Sequence, residues 1–176
     1  MSLSIEVLRA IAAALKSGGP LPPLRRGERF FMERVGKVVG KERARGVNFY
    51  TPKETRQYEA DLKKLATSLM KGRLPMKSPV VVHLKVIDHI STMDEEWVRR
   101  LKEEHFLFDT SGADLDNREK AILDAMNGVA YVDDRQIVQV FKTRYYSKEL
   151  TGFKVELEGV GLTKYDLAAL SRLMER

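Results

Sequence analysis

The segment 79–87 constrains the fold most, because its apolar residues recur at every second position. Val80, Val82, Leu84 and Val86 would share one face of an extended strand. Patterns typical of helices lie on both sides of this strand in the sequence. Because helical and extended patterns are interspersed along the chain, we predict an α/β (α+β) class, with a mixed sheet and flanking helices.

Apolar periodicity and helix-capping residues predict the remaining elements. Thr51 and Glu54 have the spacing of a capping box at a helix start, and Thr92 and Glu95 repeat it before a charged helix whose Trp97 should point inward. The predicted helices cover residues 4–16, 51–71, 93–105, 117–127 and 163–174, and the predicted strands cover a pair within 28–50, then 79–87, 129–132, 136–146 and 153–157.

The chain length of 176 residues favours one domain with a single core. Gly18, Gly19 and Pro20 interrupt the helical pattern near the N-terminus. We therefore expect residues 1–20 to form an N-terminal helix and linker, and residues 21–176 to form the single domain.

The distribution of charge indicates an anionic partner. The chain carries 31 Lys and Arg against 25 Asp and Glu, a net charge of +6. Residues 24–46 contain eight of the basic residues and only three acidic ones, whereas acidic residues concentrate between Asp114 and Asp134. A basic arm beside an acidic site is typical of a nucleic-acid enzyme, because the arm neutralises the phosphate backbone.

Several classes of protein and site are disfavoured. The sequence has no cysteine, which excludes disulfides and thiolate metal sites and makes a reducing cytoplasm the default. No apolar run is as long as a membrane-spanning helix. The sequence also lacks a Gly-rich phosphate-binding loop, so we expect no nucleotide cofactor. His83, His89 and His105 do not have the spacing of zinc ligands.

The strongest candidate site lies within residues 113–134. Asp116, Lys120 and Asp124 are four residues apart, so they share one face of a helix. Asp114 would point the same way as Asp116 if the chain were extended just before that helix. Carboxylates are hard ligands for Mg²⁺, and a nearby lysine can stabilise developing charge, so this cluster suggests Mg²⁺-assisted phosphodiester chemistry.

Each of these residues also has a structural interpretation. Asp116 would serve as a helix N-cap with Glu119 completing a capping box, or it would form a helix ion pair with Lys120. Asp133 and Asp134 would form a turn. Taken together, these interpretations leave the number of acids in a basic protein unexplained.

The run ADLDNREKAILDAMNGVAYVDDRQI resembles the signature of RusA-type Holliday junction resolvases, also called crossover junction endodeoxyribonucleases. The shared pattern is an Asp-Leu-Asp-Asn segment, a lysine shortly after it, and a downstream Asp-Asp pair. The upstream NFYTPKETRQYEADLKKLA and the downstream VFKTRYY are also similar to that family. The resemblance covers about residues 25–158.

The resemblance implies a role for each acid. Asp114, Asp116 and Asp134 match the metal-binding aspartates, Asp133 is the less critical neighbour of Asp134, and Lys120 matches the catalytic lysine. It implies a RusA-like fold and a Mg²⁺-dependent endonuclease, with Mn²⁺ able to replace Mg²⁺. The enzyme would act as a homodimer on branched DNA, cutting symmetric strands of a four-way junction in recombination and repair. Phages and prophages often carry such enzymes, which implies a bacterial cytoplasm.

We assign the DNA contacts to Arg25, Arg26 and Arg29 in the basic arm and to Lys142 and Arg144 in the penultimate strand. Two other functions remain open from the sequence. One is a less selective nuclease that cuts flaps or other branched DNA, and the other is a nonenzymatic DNA-binding protein whose acids are structural. The N-terminal helix and the long segment 88–112 depart from the family pattern and bear on substrate selectivity.

Overall fold

Four strands of the described part of the chain form one mixed sheet. The computed structural model describes residues 3–22, 24, 27–41, 53–108 and 114–175. The strand order is β1-β4-β2-β3, where β4 is antiparallel to both of its neighbours and β2 is parallel to β3. The strands are β1 (Arg29–Val35), β2 (Val80–His89), β3 (Ile137–Ser147) and β4 (Gly152–Gly159). The predicted fold class, a mixed sheet with flanking helices, is confirmed.

The helices flank this sheet. They are α1 (Ile5–Ser17), α2 (Lys53–Met70), α3 (Glu96–Glu103), α4 (Leu115–Met126) and α5 (Lys164–Met174), with a short 3₁₀ helix at Asp134–Gln136. Both α3 and α4 lie in the connection between β2 and β3. Because these two strands are parallel, this connection is a crossover that returns the chain to the end of the sheet where β2 began. Among the described residues, no helix is both long and apolar enough to span a lipid bilayer.

The main core lies between one face of the sheet and the pair α2 and α4. The alternating apolar residues predicted for β2 are all buried, as are the apolar faces of the two helices. These buried residues are Val80, Val82, Leu84, Val86, Tyr58, Leu62, Ala66, Ala121, Ile122, Ala125 and Met126. The core therefore fixes α4 against the sheet, and α4 carries most of the predicted site.

A second, smaller core joins the two ends of the chain. Ile11 and Ala12 of α1 pack against Leu170 of α5. The backbone N–H of Leu3 donates to Oδ1 of Asp166 at 2.9 Å, and Asp166 also closes a capping box with Thr163 at the start of α5. The first and last helices therefore form one unit beside the sheet.

Three local predictions are wrong. Residues 129–132 form no strand, because Gly128 adopts a left-handed φ of 74° and turns the chain back, leaving Tyr131 in isolated bridges. The capping box at Thr92 does not form, since α3 begins only at Glu96 and its N-cap, Glu95, makes no capping hydrogen bond. Trp97 is 62% exposed and donates to Glu95, so it does not point inward.

The predicted strand pair within 28–50 is confirmed only in its first half, as β1. Residues 42–52 lie outside the described part, and with them the predicted second strand and the Thr51 cap. The basic-arm residues Arg25 and Arg26 also lie outside it.

Candidate active site

Asp114 caps the helix that carries the predicted site. Its backbone is extended, and its Oδ1 accepts a hydrogen bond from the Asn117 backbone N–H at 2.7 Å. The interpretation of Asp116 as the N-cap is therefore wrong, because the helix begins at Leu115, two residues earlier than predicted. Both carboxylates lie at the positive end of the helix dipole, which stabilises negative charge there.

Asp116 lies in the first turn of α4 and is contacted from the neighbouring strand. Nζ of Lys142, in β3, lies 3.0 Å from Oδ1 of Asp116 and 2.5 Å from Oε2 of Glu119. The Asp116 side chain is 68% exposed, whereas that of Glu119 is 16% exposed. The hydrogen bonds that Lys142 donates, chiefly the one to Glu119 and also the one to Asp116, raise its pKa against the opposing effect of burial. Lys142, predicted to contact DNA, thus connects β3 to α4.

Asp88 at the end of β2 joins two arginines. NH1 of Arg118, in α4, lies 2.7 Å from Oδ1 of Asp88, and Nε of Arg144, in β3, bonds its other oxygen. All three side chains are less than one-fifth exposed. Arg144, predicted to contact DNA, is therefore held in an ion-pair cluster that connects β2, β3 and α4.

Lys120 and Asp124 continue the row that begins at Asp116, and the structure gives them different surroundings. Lys120 is exposed on α4, one turn after Asp116. The carboxylate of Asp124 accepts a hydrogen bond from Nζ of Lys41, and this Nζ also lies 3.5 Å from Oε1 of Glu59 in α2. The hydrogen bond that Lys41 donates to Asp124 is the main cause of the raised pKa of Lys41. Asp124 is thus a contact between α4 and the segment after β1.

Asp133 and Asp134 form a turn, as the structural interpretation expected. Asp133 caps the 3₁₀ helix, and its carboxylate accepts from the backbone and the guanidinium of Arg135. These contacts hold the pKa of Asp133 well below its usual range. Asp134 is exposed at the first position of the turn. Burial raises the pKa of Tyr131, and the charges of Asp124 and Asp134 add to that effect.

Gln136 fixes the turn to the sheet, and sequence reasoning missed it. Its Oε1 accepts from the backbone N–H groups of Val132 and Asp133, both at 2.9 Å. Its Nε2 donates to the backbone carbonyls of Met76 and Ser78, at 3.0 and 2.7 Å. One amide therefore determines where Asp133 and the following residue stand relative to β2.

Asp88 was also missed, although the sequence contained a signal for it. Val80, Val82, Leu84 and Val86 alternate on the buried face, and Asp88 occupies the next position of that alternation. A charge in that position requires a cationic partner, because burial of an unpaired carboxylate is unfavourable. The sequence does not identify the partners, which lie 30 and 56 residues further along.

Arg29 is the one residue of the predicted DNA-binding arm that the structure describes. It lies on β1, and its guanidinium is 3.6 Å from both Glu156 and Glu158 of β4. This places it on the face of the sheet opposite α2 and α4. Exposed ion pairs of this length contribute little, so the side chain remains available to an anionic partner.

The carboxylates have the donor chemistry of a Mg²⁺ site but not its arrangement. Within the described segments, no three His, Asp or Glu side chains gather where they could hold one ion. Asp114 caps a helix, Asp116 contacts Lys142, and Asp133 contacts Arg135. In this conformation, therefore, the described residues do not form a closed metal centre.

Comparison with known proteins identifies the family. No curated protein sequence matches this chain. The family model described as Endodeoxyribonuclease RusA matches residues 34–158, a range that includes α2, α4, the Asp133–Asp134 turn and strands β2 to β4. It leaves out α1 and α5. Because the match spans more than two thirds of the chain, the protein belongs to the RusA family of endodeoxyribonucleases, which resolve Holliday junctions.

Proposed function

We propose that this endodeoxyribonuclease resolves four-way DNA junctions as a homodimer, with Mg²⁺ bound by Asp114, Asp116 and Asp134 at each site. Mn²⁺ would replace Mg²⁺. The family assignment carries the reaction class, and the exposure and oxygen-donor chemistry of these three carboxylates support the proposal for the site, which requires them to converge when the ion and DNA bind. All three aspartates are exposed, and Asp116 and Asp134 lie in consecutive elements of the chain.

The strongest support is the environment of Asp116. Its carboxylate is exposed in the first turn of α4, whose other face is buried, and Nζ of Lys142 lies 3.0 Å from it. The rigid helix fixes its position, while its exposure leaves it open to a large anionic substrate and to an ion.

Lys120 is proposed to stabilise the negative charge that develops on the phosphate during hydrolysis. It is exposed one turn from Asp116 on the same helix face. A positioned cation that meets charge formed only in the transition state accelerates the reaction more than it strengthens binding.

Cleavage of a synthetic four-way junction tests the proposal. We expect paired cuts in the presence of Mg²⁺ or Mn²⁺ and none in EDTA. Asp116→Asn should abolish cleavage while junction binding in a gel-shift assay persists, because an amide is a poor Mg²⁺ ligand and phosphate contacts come from other residues.

Glu54→Gln is a matched control, because Glu54 is also an exposed carboxylate in the first turn of a helix, α2, with a lysine Nζ, that of Lys37, at 3.1 Å. It should cleave like the wild type. Near wild-type cleavage by Asp116→Asn would contradict the site assignment. Equal cleavage of flaps and four-way junctions would favour the less selective nuclease.

The homodimer requires its own measurement. Light scattering coupled to size-exclusion chromatography should give twice the chain mass of 20.1 kDa. A monomer that still makes paired cuts at low concentration would contradict the dimeric mechanism.

A further inference from the structure

A cleft of about 420 Å³ lies between the Asp133–Gln136 turn and the start of α5. Lys77, just before β2, forms one side, and Lys164 and Tyr165 of α5 form another. We call it the Tyr165 cleft. Asp133 and Arg135, the two sequence neighbours of Asp134, both line it.

The side chain of Tyr165 lies on the surface of the protein and does not belong to a core. It is 55% exposed, while Leu170 of the same helix is buried against α1. Two ammonium groups flank its ring, with Nζ of Lys164 5.4 Å and Nζ of Lys77 5.8 Å from the centroid. An exposed aromatic ring with adjacent lysines is suited to a nucleic-acid strand, because the ring contacts a base and the cations contact phosphates.

The charge of the cleft is also complementary to DNA. Lys77, Arg135 and Lys164 contribute three positive charges, and Asp133 offsets only one of them. The helix that supplies Lys164 and Tyr165 follows residue 158, where the match to the family ends. This chain therefore has a basic, aromatic surface beside the predicted site, supplied in part from outside the family region.

We propose that the Tyr165 cleft binds the DNA strand adjacent to the bond that is cut. Lys77 and Lys164 contact neighbouring phosphates, and the Tyr165 ring stacks on a base exposed at the branch point. The proposal rests on the proposed function, since it takes the cleaved bond to lie at the aspartates. It assigns part of the substrate contact to α5.

Binding measured without cleavage tests the two lysines. In the Asp116→Asn background, fluorescence anisotropy with a labelled four-way junction should give a weaker affinity for Lys77→Ala/Lys164→Ala. The slope of log affinity against log salt should fall by about 1.5, since each lost phosphate contact removes about 0.7 to 0.9.

Lys85→Ala/Lys154→Ala is the matched control. It removes the same charge from two exposed lysines that face each other on β2 and β4, away from the cleft. Its salt slope should equal that of the background protein. Equal slopes for all three proteins, or equal decreases for both double variants, would overturn the proposal.

Substitutions of Tyr165 test the stacking contact independently of charge. Tyr165→Ala should weaken junction binding roughly tenfold, whereas Tyr165→Phe, which keeps the ring, should bind like the background protein. On a continuous duplex, which exposes no base, Tyr165→Ala should have no effect. An equal loss on duplex and junction, or no loss on either, would overturn the assignment of the ring to an exposed base.

The experiment separates failure of this inference from failure of the proposed function. If Asp116→Asn binds the junction and the cleft variants bind it equally well, only the cleft assignment is overturned. If Asp116→Asn binds neither junction nor duplex, the inference is overturned together with the proposed function.

Discussion

Two aspartates beside α4, Asp88 and Asp116, are both contacted by cations, but in different environments. Asp88 lies between Arg118 and Arg144, and all three side chains are mostly buried. Asp116 is largely exposed, and it accepts a hydrogen bond from Lys142, a lysine that also bonds Glu119.

The difference separates a structural carboxylate from one that is available to a substrate. Loss of one partner from a buried cluster leaves uncompensated charge and costs several kcal/mol, whereas exposed pairs contribute about 0–1 kcal/mol. The Asp88 cluster therefore sets the spacing of β2, β3 and α4. The contact between Asp116 and Lys142 is exposed and therefore weak, as the proposed function requires of a carboxylate that is to meet DNA or a metal ion.

Lys120→Ala should have the largest effect, and on catalysis alone. We expect the single-turnover rate at saturating protein to fall by about 10²–10³ because a positioned charge is lost. The urea unfolding midpoint should stay unchanged, since the side chain is exposed. Lys64→Ala, an exposed lysine of α2, is the control. A defect that additional protein fully overcomes would mean that Lys120 only binds DNA.

Asp88→Asn should lower the stability of the fold, in contrast to Lys120→Ala, which should lower only the catalytic rate. The amide keeps the size of the side chain but leaves Arg118 and Arg144 without their carboxylate, so the free energy of unfolding should fall by about 3 kcal/mol. Urea denaturation measures this. Asp133→Asn makes the same chemical change at an exposed pair and should leave the midpoint in place. Equal shifts in both variants would remove the distinction between the two aspartates.

Asp114 allows capping to be separated from chemistry. Asn caps a helix as well as Asp does, so Asp114→Asn should retain its stability, whereas Asp114→Ala should lose about 1 kcal/mol. Both variants should lose cleavage if Asp114 binds the metal. Full cleavage by Asp114→Asn would show that Asp114 is only the cap of α4.

Lys142→Met should have a smaller effect on stability than Asp88→Asn, about 1 kcal/mol, because its pair with Asp116 is exposed and only its pair with Glu119 is partly buried. The raised pKa of Lys142 sets the pH dependence of that effect. The contribution is fully present below the unfolded pKa of lysine, about 10.4, and is lost as pH rises through the higher folded pKa. Denaturation at pH 8 and pH 11 should therefore show a smaller difference from wild type at pH 11.

The elements with regular apolar periodicity could be predicted from the sequence. Both ends of β2 and both ends of α4 lie within two residues of their predicted positions, because burial of the apolar faces decides the structure of these elements. The residues around Val129 and Thr92 were predicted wrongly. A four-residue apolar run does not reveal that Gly128 reverses the chain, and a capping pattern does not reveal that the helix starts later.

The candidate site was predicted as a set of residues but not as a set of contacts. The spacing of Asp116 and Lys120 within one helix follows from helical geometry alone. The contacts of Asp116 with Lys142 and of Asp88 with its arginines join residues 26 to 56 positions apart, so they depend on the pairing of β3 with β2 and on the packing of α4 against both strands. No local pattern contains that information.

The packing of α1 against α5 has a consequence for local unfolding. Its small core is separate from the main one, and a single carboxylate, that of Asp166, joins Leu3 to the start of α5. Such a unit can open on its own at a lower free energy than the sheet. Native-state hydrogen exchange should therefore show α1 amides exchanging well before those of β2 and β4. Because Lys164 and Tyr165 belong to the same unit, each opening would also dismantle the Tyr165 cleft.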